Sequence, residues 1–154
     1  MRSLIGQMIV WALVWCAGCA HDLYQQRTDM MKEHIQGFYD HLRSNRVRAA
    51  VLENERLEAL VSTIGAEIRQ SRQSHADNQV NRDWVLLKTA REAAAENWLN
   101  LGRYFAQRKQ YEEARGAYRR VLVTYQDEAF RAYREQAGAG LRDLDMMSNS
   151  SGSR

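Results

Sequence analysis

Apolar side chains recur three and four positions apart along most of the chain, which is the spacing of one face of an α-helix. Five such stripes occupy residues 31–42, 47–68, 84–105, 111–125 and 130–144. The alternation of apolar and polar positions that is typical of strands is scarce. The pattern therefore predicts an all-α fold of about five helices.

A short polar break separates the first two stripes at Ser44 and Asn45. The two stripes are out of register, so one continuous helix would place them on different faces. A turn at the break lets two antiparallel helices pack together as a hairpin; the alternative is one bent helix roughly 75 Å long. Within the second stripe, Asn54 replaces an apolar residue. Its amide either bonds across the helix interface and fixes the register, or lies at the edge of that interface.

The longest polar stretch, residues 70–82, predicts a connector. Asp83 follows it and is placed to cap the next helix, which should end near residue 107. The last helix should end near Met147, and the Ser-rich residues 148–154 predict a disordered tail. The expected division is a helical hairpin or coiled-coil segment over 23–73, a connector over 74–82 and a helical domain over 83–147.

The N-terminal segment, residues 1–18, has the pattern of a secretion signal. A short basic start, with Arg2, precedes an apolar run of 12 residues from Leu4 to Trp15. This run is too short to span a bilayer comfortably, since a spanning helix needs roughly 20 apolar residues. It has the length of the apolar region of a signal peptide.

The apolar run leads into Ala17, Gly18 and Cys19, which resemble the lipobox of bacterial lipoproteins, although Cys16 stands where Leu is usual. The resemblance implies cleavage before Cys19, a diacylglyceryl group on its thiol and a short tether over 19–22. Ala20, in place of an Asp, implies the outer membrane, with the protein on its periplasmic face. The alternatives are an uncleaved helical anchor and a redox or metal CxxC motif, which lacks a second ligand pair here.

Composition agrees with helices, because the chain contains no Pro and is rich in good helix formers. The net charge of +3 loses only Arg2 when residues 1–18 are removed, so the remainder is nearly balanced. A nucleic-acid binder needs a concentrated basic face. The best candidate for one, Arg115 with Arg119 and Arg120, reads as a solvated helix flank, so no nucleic-acid partner is expected.

Residues 95–128 resemble one tetratricopeptide repeat, a 34-residue pair of antiparallel helices. The matching positions are Trp98, Leu101, Gly102, Phe105, Ala114 and Tyr118. The pattern departs at Val121, where a small residue is usual, and at Gln126, where Pro often ends the repeat. The resemblance implies packing roles for these residues, a degenerate earlier hairpin and a capping helix over 128–147.

The first helix of such a repeat usually lines a groove that holds a partner's peptide. Carried over to this chain, the groove positions are Glu96, Leu99, Asn100, Arg103 and Gln107. Arg103 would pair with a partner carboxylate, and Asn100 would bond the partner's backbone. The alternative is that all five are ordinary solvated helix residues.

No constellation of catalytic residues is recognisable, and we expect neither an enzyme nor a cofactor. His34 and His41 share a helix face but lack a third metal ligand, so no metal site is expected. The leading hypothesis is a lipid-anchored adaptor that binds another envelope protein through its repeat-like domain. The runner-up is an envelope spacer in which the 23–73 segment self-associates as a coiled coil.

Overall fold

The computed structural model describes the backbone of residues 2–71 and 77–151, and the side chains of 23–70 and 80–148. Within these residues the chain is helical and contains no strand. The helices are α1 (Arg2–Arg43), α2 (Val47–Ser71), α3 (Asp77–Gln107), α4 (Tyr111–Thr124) and α5 (Arg131–Ser151), with a short 3₁₀ turn over Glu128–Phe130. The predicted all-α fold of about five helices is confirmed.

Consecutive helices pack against each other in antiparallel pairs, and alternate helices run parallel. The antiparallel packing of α2 on α1 follows from two pairs of residues, Arg27 with Glu67 and His34 with Glu53. Arg27 also lies 3.6 Å from Asp83 of α3, and Tyr39 bonds Asn100 further along α3, so α1 and α3 run parallel. Two hairpins, α1–α2 and α3–α4, are thus stacked, and α5 covers the second one.

The two hairpins share the same turn. Asn45 and Lys109 each adopt a left-handed backbone conformation, with φ of 58° and 61°. In both turns the amide after this residue donates to a carbonyl five positions back, Arg46 to His41 and Gln110 to Phe105. This is the Schellman arrangement, which satisfies the free carbonyls at a helix C-terminus. The chain therefore reverses direction at Asn45, and α2 folds back onto α1.

The stripes on the helices form one contiguous core. Its fully buried side chains include Phe38, Leu57, Ile64, Leu101 and Val121. Alanines lie where helices approach most closely, among them Ala50, Ala90, Ala94, Ala95 and Ala114. Small residues at these positions let long helices pack along their lengths.

Two helix boundaries and the surroundings of two residues differ from the sequence predictions. Helix α3 begins at Asp77, within the predicted connector, because no Gly or Pro interrupts the residues before Asp83. Asp83 is therefore no cap: it lies inside α3, beside the buried Arg27. Trp84, which begins the third stripe, is 41% exposed. Helix α5 continues to Ser151, beyond the expected end at Met147.

Arg134 organises the link between α4 and α5. One of its guanidinium nitrogens, Nη1, donates to the carbonyls of Tyr125, Gln126 and Asp127, at 3.1, 2.8 and 2.6 Å. These three carbonyls follow α4, where helical hydrogen bonding ends. Arg134 thereby fixes the conformation of residues 125–127, and this segment determines the position of α5 against α3.

Candidate binding groove between α3 and α5

Tyr118 of α4 sets the distance between α3 and α5. Its ring fits between Gly102 of α3 and Gly140 of α5, and a Cβ on either glycine would overlap it. At Gly140 that Cβ would lie 2.5 Å from Cζ of the ring. Tyr118 is itself only 5% exposed. The aromatic ring therefore acts as a spacer, and it leaves a groove between the two outer helices.

The groove consists of two clefts that meet at Arg103. The first has a volume of about 310 Å³ and lies between Glu96 and Leu99 on α3 and Tyr133 and Gln136 on α5. The second has a volume of about 200 Å³ and continues towards the C-terminal ends of both helices. It is lined by Arg103, Ala106, Gln107, Tyr118, Gly140, Asp143, Leu144 and Met147.

A line of polar side chains crosses α3 on this face. Asn100 Nδ2 donates to the hydroxyl of Tyr39 on α1, at 3.1 Å. Arg103 donates to Asn100 Oδ1 at 3.1 Å and to Gln136 Oε1 of α5 at 2.8 Å. The three alternate helices are thereby joined through one polar chain. Arg103 bonds amide oxygens only, so its charge meets no carboxylate among the described side chains.

Two carboxylates in the groove are also without an opposite charge. Glu96 and Asp143 are exposed, and neither forms an ion pair or hydrogen bond with another described side chain. Burial raises the pKa of Tyr39 and of Tyr133, and the negative charge of Glu96 raises both further. Glu96 therefore lies close to two tyrosine rings, one on α1 and one on α5. We refer to Glu96, Arg103 and Asp143 as the groove charges.

The structure brings four of the five residues expected in a partner groove to this one site. Glu96, Leu99, Arg103 and Gln107 line the α3–α5 groove, whereas Asn100 faces Tyr39 of α1. Leu99 is only 2% exposed, so it forms the floor of the groove and packs against the core.

The six residues assigned to repeat packing lie in or against the core. Leu101 and Ala114 are fully buried, Trp98 and Tyr118 are nearly so, and Phe105 is partly buried. Gly102 lies against the ring of Tyr118. The packing role that the resemblance implied for them stays a prediction.

A second polar site lies inside the bundle, and sequence reasoning found only one of its members. Asn54 is fully buried; its Nδ2 donates to the carbonyl of Ala94 at 3.2 Å, and its Oδ1 accepts from Asn97 Nδ2 at 2.8 Å. Of the two roles left open for Asn54, the structure shows the bond across the α2–α3 interface. Asn97 lies 43 residues away in the sequence, and nothing in the pattern of apolar positions identifies it as the partner of Asn54.

Glu58 of α2 is the other member of this site. It accepts hydrogen bonds from Trp98 Nε1 at 2.9 Å, from the hydroxyl of Tyr125 at 2.8 Å and from Arg120 at 2.9 Å. Burial raises the pKa of Tyr125, and the neighbouring charge of Glu58 raises it further. Glu58 thus joins α2 to α3 and to the end of α4. We refer to Asn54, Glu58 and Asn97 as the interior polar cluster.

Two of the three clustered arginines and one of the two candidate histidines are paired with carboxylates of the chain. Arg120 pairs with Glu58, and Arg115 pairs with Asp145 of α5, so two of the three clustered arginines bond within the chain. His34 Nδ1 lies 2.8 Å from Glu53 Oε2. Among the described side chains, no group of three His, Cys, Asp or Glu is arranged to hold a metal ion.

The predicted lipidation site, Cys19, lies outside the side chains that the structure describes. Within the described residues, no helix is both long enough and apolar enough to cross a membrane.

Comparison with known proteins identifies no relative. No protein-family model matches the chain, and no curated protein or solved structure is significantly similar to it.

Proposed function

We propose that this protein is a lipid-anchored adaptor of the bacterial cell envelope, held on the periplasmic face of the outer membrane by an acylated Cys19. The α3–α5 groove binds a segment of another envelope protein. The anchor rests on the lipobox-like Ala17, Gly18 and Cys19 at the end of an apolar run. The adaptor role rests on the groove.

The observation that carries the adaptor role is the convergence of three charged side chains without an opposite charge on one groove. Several charged side chains at helix contacts find an opposite charge within the chain, as Arg27, Glu53, Glu58 and Arg115 do. The groove charges do not, although all three line one concavity. Unmatched polar groups converging on a cleft are typical of binding sites.

The burial of the α2 stripe favours the adaptor over the self-associating spacer. Ala50, Asn54, Leu57, Ile64 and Ile68 are all at most 3% exposed in the single chain. They pack against α1 and α3, so this seam is not available to a second copy. Sedimentation of the protein distinguishes the two functions: we expect a monomer, and a stable elongated oligomer would favour the spacer.

The groove is tested by capturing partners from detergent-solubilised envelope with three forms of the protein. The forms are wild type, Arg103→Glu and the control Glu55→Lys, whose residue is exposed on α2. A partner bound through the groove should be lost with Arg103→Glu and kept with Glu55→Lys, while circular dichroism shows equal helicity. Equal capture by all three forms would exclude the groove as the binding site.

The anchor is tested separately, by mass spectrometry of the protein purified from membranes. We expect a chain that begins at Cys19 and carries acyl groups. An N-terminus that is neither cleaved nor acylated would contradict the anchor and the outer-membrane location.

A further inference from the structure

The groove charges alternate in sign along the groove. Glu96 lies at one end, Arg103 at the meeting point of the two clefts and Asp143 in the second cleft. Arg103 bonds Gln136, which fixes the two helices in register, and α3 and α5 run parallel. The sequence of charges is therefore negative, positive, negative along one direction.

The spacing of these charges is nearly even. Glu96 and Arg103 are seven residues apart on α3, which corresponds to about 10 Å along a helix. Asp143 is seven residues beyond Gln136 on α5, so it lies about 10 Å further along the groove. A peptide in the polyproline II conformation rises about 3.1 Å per residue with three residues per turn, so about three residues cover each interval and every third side chain faces the groove.

The surroundings of Glu96 suit a cationic side chain in particular. Tyr39 and Tyr133 both lie close enough for Glu96 to raise their pKa values. A lysine or arginine placed beside Glu96 would gain the carboxylate and would lie in the same cleft as Tyr133, whose hydroxyl oxygen can accept a hydrogen bond. Leu99 and Ala132 give the cleft an apolar floor for the aliphatic part of such a side chain.

We propose that the groove selects a peptide segment in the polyproline II conformation that carries a basic, an acidic and a second basic side chain at intervals of three residues. This rests on the proposed groove function and adds the chemistry of the partner. The basic residues pair with Glu96 and Asp143, and the acidic residue pairs with Arg103. Because the pattern is symmetric, the segment can lie in either direction along the groove.

The test uses the full chain in detergent and two labelled peptides of seven residues, with binding followed by fluorescence anisotropy. One peptide is Lys-Ala-Ala-Glu-Ala-Ala-Lys; the other is its charge-inverted form, Glu-Ala-Ala-Lys-Ala-Ala-Glu. We expect the first to bind at least about tenfold more tightly in low salt, with a difference that shrinks as salt is added. Equal binding of the two peptides, or binding of neither, would overturn the proposal.

Matched variants connect the preference to the groove. Glu96→Lys together with Arg103→Glu and Asp143→Lys should reverse the order of the two peptides, and the conservative Glu96→Gln should reduce the ratio. Glu55→Lys, on α2, should leave the ratio unchanged. If the triple variant has normal helicity but still prefers the same peptide as the wild type, the proposal is contradicted. The capture of an envelope partner tests the adaptor function, and the peptide binding tests the charge preference. Because these are separate measurements, one can fail while the other succeeds.

Discussion

The interior polar cluster and the groove charges both include residues of α3, yet their polar groups differ in how far they are paired within the chain. Within the cluster, the amides of Asn54 and Asn97 bond each other, and Glu58 accepts three hydrogen bonds. Within the groove, Glu96 and Asp143 have no charged partner in the described chain. The polar groups of the cluster are paired within the chain, whereas the two groove carboxylates have no opposite charge among the described side chains.

The difference follows from solvation. A buried polar group without a partner costs about 1–3 kcal/mol, so the interior must supply every bond. An exposed carboxylate keeps its water and needs no partner for stability. The two regions should therefore respond to mutation in different ways: the cluster through the free energy of unfolding, the groove through binding.

The largest effect is expected for Glu58→Ala. The change leaves Trp98, Tyr125 and Arg120 without their acceptor, and we expect a loss of about 3 kcal/mol in the free energy of unfolding. Urea unfolding followed by circular dichroism measures it. Glu55→Ala on the same helix is the control and should change stability by less than about 0.5 kcal/mol. Equal losses in the two variants would refute the role of Glu58.

The spacer role of Tyr118 predicts the next largest effect. Gly102→Ala and Gly140→Ala each place a methyl group against its ring, and each should destabilise the protein by about 2 kcal/mol. Gly116→Ala is the matched control, since a Cβ there meets nothing within 4 Å. Because Ala favours helices over Gly, this control should stabilise by up to about 1 kcal/mol. A change in the free energy of unfolding with the same sign in all three variants would argue against the spacer role of Tyr118.

The buried amide pair predicts a smaller effect with a specific pattern. Asn54→Ala or Asn97→Ala alone should cost about 1–2 kcal/mol, because each leaves one buried amide without its partner. The double variant should cost less than the sum of the two. Strict additivity in this double-mutant cycle would mean that the two amides do not act as a pair.

The pKa of Tyr125 predicts a modest dependence of stability on alkaline pH. Burial raises this pKa above its ordinary value of about 10, so the folded state keeps a proton that the unfolded state releases. Stability should be constant below pH 10 and fall by about 1 kcal/mol over the next pH unit. In Tyr125→Phe this fall should be smaller, whereas an unchanged fall would assign it to other groups.

How far the sequence predicts the structure depends on the range of the interaction. The stripes and the breaks at Asn45 and Lys109 are local patterns, and they predict the helices and the hairpin turns well. The partners of Glu58 and Tyr118 lie on other helices, up to 67 residues away, and no spacing rule reveals them. Gly140, in particular, looks like an ordinary helix residue until Tyr118 is seen against it.

The groove shows the same limit. The repeat resemblance places Glu96, Arg103 and Gln107 on one helix, and the structure finds them on one groove. Asp143 and Tyr133, on the facing helix, have no signal in the sequence, because the register of α5 depends on the link held by Arg134. The opposite wall of the site is therefore known only from the three-dimensional arrangement.

The most direct test of the account is the urea unfolding of one variant that neutralises all three groove charges, Glu96→Gln, Arg103→Gln and Asp143→Asn. If these charges serve recognition and not the fold, the free energy of unfolding should stay within about 1.5 kcal/mol of wild type, since each of the three exposed substitutions changes it by about 0.5 kcal/mol or less. A loss as large as the roughly 3 kcal/mol expected for Glu58→Ala would contradict the account, because the groove charges would then be holding the fold together.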